Sequence, residues 1–405
     1  MRKLFSIFIA IVLVMLIAFP MVAQKKKITV WCTDKEVAGL EPVKKQFKKE
    51  KKIDVEIEIQ AEPRSKYISA AKAGTAPDIL VGAHDWVGEL AKNGVIAEIN
   101  LSNEDKAKYY PLSIQGYTYN GKLYGVPYDF EALVIFYNKK IIKDVPKTWE
   151  DMITVAKGIT DAKSGKYGFL YGINNDFHRN FPFFGSQGAY IFKESGDGKY
   201  DILDVGLDSP GAIAAGNFIY RLVKEGIVPS STNNGTVESS FLDGKVAMVM
   251  DGCWNYTSYK KQYGADLGVA LLPTLNGKPS RSFIGARGFM INNASKVLEN
   301  AKDFVINFAG NQDGQENMYK AGGRPPAHIK AAENVSKGDP FIKIMLNSAN
   351  DGVLMPNVKA MAVVWNYAGG MIDKFNTGET TVENALKTAV NTIRQEIGKN
   401  TKRFE

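Results

Sequence analysis

Cysteine is almost missing from this chain: among 405 residues there are two, Cys32 and Cys253. Two cysteines so far apart build no disulfide framework, and each thiol is expected as a small buried hydrophobe. Histidine is as scarce, with three residues. His84, His178 and His328 form no His-x-x-x-His pair, and no Cys-x-x-Cys occurs, so no metal site and no cofactor are expected. His84 is expected to be a satisfied core histidine. Glycine-rich pieces such as Gly196-Asp197-Gly198 lack the strand–glycine–helix setting of a phosphate loop. Internal repeats and low-complexity stretches are absent. Beyond Phe19 no run is apolar enough to cross a bilayer. A concentrated basic face is missing too. The 51 Lys and Arg outnumber 43 Asp and Glu, but clusters such as Lys48–Lys52 are interleaved with acids. That pattern is a solvated surface rather than a nucleic-acid footprint.

What is present begins at the N-terminus. Arg2 and Lys3 precede an uncharged run from Leu4 to Phe19, then Pro20 and the approach to Ala23. These are the positive, apolar and cleavage regions of a secretory signal peptide, residues 1–23, with an uncleaved membrane anchor as the alternative. No Cys stands at the cleavage point, which argues against a lipid-anchored start. Removing Arg2 and Lys3 lowers the net charge from +8 to +6. The remaining length exceeds a single core and predicts two domains.

From Lys27 the pattern alternates. Ile28–Cys32, Ile53–Ile59 and Asp78–Val81 read as strands, and Val37–Glu50, Tyr67–Ala73 and Trp86–Lys92 as helices. This order predicts an α/β layer with parallel strands, whose ligands sit beyond the strands' carboxyl ends, where Asp34 and Asp85 fall. Tyr171–Gly188, dense in Asn and Phe, reads as loop-rich. Val246–Met250 and Phe283–Ile291 read as strands. Asn300–Ala309, Val358–Phe375 and Thr381–Ile397 read as helices.

Residues 121–139 are the most informative. The apolar run Ala132–Tyr137 predicts a buried strand, and Asp129 and Glu131 stand at its mouth among Tyr124, Tyr128 and Phe130. Acids there need hydrogen-bond partners, from a network or a polar ligand. This stretch resembles the lobe-crossing strand of the extracellular solute-binding proteins that feed ABC sugar transporters, in particular the maltose/maltodextrin-binding branch. Trp31–Lys35, Ala83-His84-Asp85, Pro146-Lys147-Thr148-Trp149, Asp251-Gly252-Cys253-Trp254 and Met355-Pro356-Asn357 through Trp365 recur in family order. The resemblance implies a two-lobed periplasmic-binding-protein fold, each lobe a β-sheet flanked by helices and joined by a hinge. Lobe one would hold 24–130 and 286–334, and lobe two 131–285 and 335–405. The hinge would lie near Asp129–Leu133, Phe283–Arg287 and Asn334.

A sugar site needs charged hydrogen-bonding groups on one wall and aromatic planes on the other. By resemblance Asp34, Lys35, Asp85 and Glu131 would bond hydroxyls from lobe one. Trp254 and Trp365 would stack on sugar rings, with Phe177 a looser match. Where some relatives carry an aromatic residue before Ala-His-Asp and an Arg after it, this chain has Gly82 and Trp86. Trp86 is therefore either a sugar contact or packed on its own lobe. Asn366 and Gly369 replace a second aromatic and an Arg, and Arg287 and Tyr367 are candidates to compensate. The implied function is extracytoplasmic binding of maltose, maltotriose or a similar oligosaccharide by a non-enzymatic monomer. The closed form would deliver the sugar to an ABC permease. The alternative is a secreted glycoside hydrolase using paired carboxylates.

Overall fold

The computed structural model describes residues 27–195 and 199–399. Residues 1–23, read above as a signal peptide, lie outside the described residues. Among the described residues no helix is long and apolar enough to cross a membrane.

The elements that build the cleft are, in chain order, β1 (Lys27–Cys32), α1 (Asp34–Lys51), β2 (Asp54–Ile59), β3 (Ile79–Ala83), β4 (Val126–Pro127), β5 (Leu133–Asn138), β6 (Tyr167–Leu170), α2 (Phe177–Ser186), β7 (Val246–Gly252), α3 (Tyr256–Tyr263), β8 (Leu267–Ala270), β9 (Arg287–Ile291), α4 (Gln312–Gly322) and α5 (Met361–Asn376). They form a two-lobed α/β fold. The first sheet runs β2-β1-β3-β9-β4. Its strands β1, β2 and β3 are parallel as the alternating pattern predicts. The returning β9 is antiparallel to β3, with Arg287 opposite Ala83. The second sheet runs β8-β5-β7-β6, with β5 antiparallel to both β8 and β7.

Each sheet has its own core. One cluster draws on residues 28–128 and 286–327, including Val30, Phe47, Val81 and Phe289. The other draws on 130–284 and 332–397, including Phe136, Trp149, Met248 and Ile372, and also takes Tyr319. Both cysteines are free and fully buried, as small hydrophobes. Burial pushes the Cys32 thiol up to about 12, so it stays protonated and inert.

Between the sheets three stretches of chain lie side by side. Glu131 bridges Gly285, and Asp129 bridges Pro326. The third of these stretches contains Arg324–Pro326, upstream of Asn334. A fourth contact ties in Met355–Asn357. Buried His84 meets the Met355 carbonyl through Nε2 at 2.9 Å, and its Nδ1 accepts the Ala286 N–H at 3.1 Å. Those partners fix the neutral Nε2–H tautomer, so His84 is the satisfied core histidine expected. Asn357 donates to the carbonyls of Gly116 and Thr118 at 2.8 and 2.7 Å.

Two segments differ from the sequence reading. The stretch read as loop-rich contains α2, capped where the Asp176 side chain accepts the Arg179 N–H. The density of Asn and Phe suggested a loop. Phe177, Phe181, Phe183 and Phe184 are buried, and that tertiary gain outweighs local preference. Phe283–Ile291 is not one strand. It divides at Gly285-Ala286, with Phe283–Ile284 pairing Val353–Leu354 in a separate ribbon.

Candidate functional site

Strand ends create the first wall. Where β1 stops, Thr33 and Glu36 form a capping box that starts α1: the Glu36 carboxylate accepts the Thr33 backbone N–H at 2.6 Å. Where β3 stops, Asp85 is buried and accepts from Arg64 Nη1 at 3.3 Å. At the mouth of β5 stand Asp129 and Glu131. Opposite them, β7 ends in Gly252 and presents Trp254, α2 presents His178 and Arg179, and α5 presents Trp365. With Trp254 in this position only glycine fits at Gly252, since a methyl group would come within 2.2 Å of the ring and displace it. The indole therefore lies directly over backbone.

These walls enclose a cavity of about 370 Å³ lined by Thr33, Lys35, Glu36, Ala83, Asp85, Glu131, His178, Arg179, Trp254, Arg287, Arg324, Met355 and Trp365. Its volume falls at the small end of the range typical of small-molecule sites. Of the residues singled out from sequence, Lys35, Asp85, Glu131, Trp254 and Trp365 come together here. Asp34, Trp86 and Phe177 do not line the cavity. Asp34 is an exposed first-turn residue of α1. The Trp86 ring covers Gly82, where a methyl would come within 2.3 Å of it, and the Arg287 guanidinium lies 6.0 Å from its centroid. Phe177 is buried among Phe181, Phe184, Phe283 and Trp365.

The walls also touch each other. Trp365 donates its indole N–H to Asp85 Oδ2 at 3.0 Å. Lys35 reaches Glu238 at 3.1 Å and Asn255 at 3.0 Å, and Thr257 on α3 donates to the Gly322 carbonyl at 3.1 Å. These bonds hold the cleft narrow.

The floor is a buried charge cluster. Arg324 Nη1 donates to Asp129 Oδ2 at 2.9 Å and to Glu131 Oε1, and its Nη2 lies 3.3 Å from Glu36 Oε1. Arg287 Nε is 2.9 Å from Glu36 Oε1, but its N–H is not directed at that oxygen; Nε and Nη2 are buried without an acceptor. Burial, then the Glu131 charge, pushes the Asp129 carboxyl up to about 7. Burial also acts upward on Glu131, but Arg324 and Arg287 outweigh it and hold this carboxyl below its ordinary range. The Cys253 thiol completes a group of donor atoms within 4.8 Å of one another with Asp129 and Glu131. Arg324 already supplies the positive charge there.

On the opposite wall, Arg179 pairs with Asp176 at 2.7 Å and Asp251 at 2.8 Å, and its guanidinium lies 4.9 Å from the Trp254 ring centroid. His178 lies between the rings of Trp254 and Phe283, at 6.0 and 5.9 Å. Among the described residues it makes no hydrogen bond to protein. Burial lowers its pKa, so the imidazole is neutral at pH 7 with one donor and one acceptor. Paired carboxylates, cations and part-exposed indoles in one cleft suit a neutral polyhydroxylated ligand with apolar ring faces.

Glu36, Arg179 and Arg324 escaped the sequence reading. Thr33-x-x-Glu36 carried the capping-box signature, and Arg179 stood three residues after Asp176. Arg324, between Gly322-Gly323 and Pro325-Pro326, was a cation in a stretch unable to form a helix.

Residues 43–343 match the model of a family described as bacterial extracellular solute-binding protein. The chain is 29% identical over 392 residues to the galactooligosaccharide-binding protein of Bacillus subtilis (strain 168), covering 93% of this chain and 90% of that one. It is 29% identical over 386 residues to the maltooligosaccharide ABC transporter solute-binding lipoprotein of Streptococcus pneumoniae (strain ATCC BAA-255 / R6), with the same two coverages. With the maltotriose-binding protein of Pyrococcus abyssi (strain GE5 / Orsay) it shares 28% over 330 residues, 79% of this chain and 71% of that one.

Proposed function

Because the chain belongs to the bacterial extracellular solute-binding proteins, we propose that it binds maltose- or maltodextrin-type oligosaccharides outside the cytoplasmic membrane and hands them to an ABC permease. One observation carries this reading. Lys35, Asp85 and Glu131 from one wall and Trp254 and Trp365 from the other line a single cavity. Glu131 gives one oxygen to Arg324 and keeps Oε2 for a hydroxyl. Asp85 exchanges its Trp365 partner for sugar as the cleft opens and refills. The pairing of 24–130 with 286–334 and of 131–285 with 335–405 fits this motion once the last boundary, expected near Asn334, is drawn back to Arg324–Pro326, because Ala332 packs in the second core; the hinge then bends at Asp129–Glu131, Gly285–Arg287 and Arg324–Pro326. The protein acts as a monomer that presents its closed form to the permease.

Hydrolysis is the weaker reading. A general acid needs a carboxyl raised toward neutrality that reaches the ligand; the arginines hold Glu131 the other way, and Asp129, raised to about 7, is fully buried and does not line the cavity. Asp85 is occupied by Arg64 and Trp365.

Calorimetric titration with maltose, maltotriose, maltotetraose and a galactooligosaccharide tests the proposal, with chromatography of the recovered sugars. Binding of the maltodextrins with the sugars recovered intact is expected. Binding of the galactooligosaccharide alone would move the specificity. Binding of none would refute the reading.

A further inference from the structure

The structure assigns Arg324 a role that deepens this reading and rests on it: we propose that Arg324 is the positioning residue of the cleft, holding the Glu131 carboxylate as a hydrogen-bond acceptor for sugar. The prolines after it keep Arg324 extended, and its side chain runs into the floor, where it is 7% exposed. From there one guanidinium reaches three carboxylates on two separate segments: Glu36 at the start of α1, and Asp129 and Glu131 at the crossing.

The charge count makes the pairing consequential. Three buried carboxylates face two guanidiniums, those of Arg324 and Arg287. Without Arg324, three would face one, and like charges this close cannot all stay ionised. The groups facing Glu131 are Arg324, Arg287 and Asp129 in the floor, His178 from the opposite wall, and the Cys253 thiol. His178 is neutral at pH 7, and burial pushes the thiol well above its ordinary value, so neither replaces the missing cation. Asp129, already raised to about 7, would protonate first; Glu131, which lines the cavity and owes its ionisation to Arg324 before Arg287, would lose that support and its own pKa would rise. A protonated Glu131 can offer the sugar hydroxyl only a neutral hydrogen bond, about half as strong as the charge-assisted one it replaces. Arg324 also fixes direction. By engaging Oε1 through Nη1 it leaves Oε2 toward the cavity.

The test uses maltotriose and calorimetry from pH 5.5 to 8 on Arg324→Gln, Arg324→Lys and the double variant Arg324→Gln/Glu131→Gln. Wild-type affinity is expected to stay nearly level. Arg324→Gln should lose up to tenfold per pH unit as pH falls through the raised pKa of Glu131. Arg324→Lys, which keeps the charge, should restore the level profile, and the double variant should bind weakly at every pH alike. A residue serving only as a strut would lower affinity by the same factor throughout, and that result overturns the proposal, as does unchanged binding. Should Arg324→Gln fail to fold, carbon-13 NMR of the wild-type Glu131 carboxyl decides, since titration above the ordinary glutamate range refutes the role. If the wild type binds no oligosaccharide, the functional reading itself fails. Level binding by Arg324→Gln sinks only the role of Arg324.

Discussion

Replacing Trp365 by Phe and by Ala separates two things that this indole does. Its N–H donates to Asp85 across the cleft at 3.0 Å, and its ring lies against Phe177 and Phe283 at 6.1 and 5.9 Å while part of it faces the cavity. A hydrogen bond to a charged group is worth about 1.5–3 kcal/mol. In binding, however, that bond is exchanged for one between Asp85 and a sugar hydroxyl, so most of its worth cancels. Trp365→Phe keeps an aromatic plane and should cost about 1 kcal/mol, roughly fivefold in affinity. Trp365→Ala removes the plane and should cost about 2 kcal/mol or more, roughly thirtyfold, as at other aromatic anchors.

Stability moves differently. Truncation to Ala removes the packing of the indole on Phe177 and on Phe283, each pair of rings being worth about 0.5–1.5 kcal/mol. In a chain this long, about 1–3 kcal/mol corresponds to only a few degrees of melting temperature. Calorimetry with maltotriose gives the affinities, and thermal unfolding without sugar gives the second axis. A melting temperature lowered by ten degrees or more, with affinity kept within twofold, would show that Trp365 is a strut between lobes and not a sugar platform.

Three further outcomes follow from the same geometry. His84→Ala strands the Ala286 N–H and the Met355 carbonyl in a fully buried junction, and should destabilise by about 2–4 kcal/mol in urea unfolding; a loss below 0.5 kcal/mol would deny the junction its role. Gly252→Ala puts a methyl into the Trp254 ring, so the indole must swing away, weakening maltotriose binding at least tenfold with Trp fluorescence altered; unchanged affinity and emission would mean that Trp254 is not held against this backbone. Asp129→Asn concerns pH. The folded carboxyl titrates at about 7 against about 4 unfolded, so the native state binds more protons between these values and loses stability as pH rises through them. Asparagine has no proton to lose, so the variant should gain on wild type between pH 5 and pH 8 in urea unfolding; a pH-independent difference would place the Asp129 pKa outside that window.

Much of the architecture was legible because local pattern and tertiary outcome agree. Leu40, Val43 and Phe47 share one face of α1 and are buried, and the helix read over Thr381–Ile397 spans Val382–Gly398. Where they disagree, reading failed for a physical reason. Around α2 the Asn-rich stretch Tyr171–Gly188 reads as a loop, while burial of four phenylalanines selects a helix. Long spacing alone could not separate the two short strands around Gly285-Ala286, where the chain passes from one sheet to the other.

The cleft was legible in its parts and not in its wiring. Asp85 and Glu131 stood out because acids at strand ends need partners, but nothing local says that those partners are Arg64, Trp365 and Arg324. Glu36 shows why. Its capping-box spacing predicts one oxygen bonded to Thr33, and the structure places the other toward Arg324, 288 residues away in sequence. An interaction of that span is set by how three chain segments are laid side by side, which a linear pattern does not encode. The same reasoning explains Trp86. Next to Asp85 it reads equally as a sugar contact or as packing on its own lobe, and the missing side chain at Gly82 makes room for its ring on the sheet. A vacancy in one position and a large residue four places later are one packing event, and the indole there serves the lobe before it could serve a ligand.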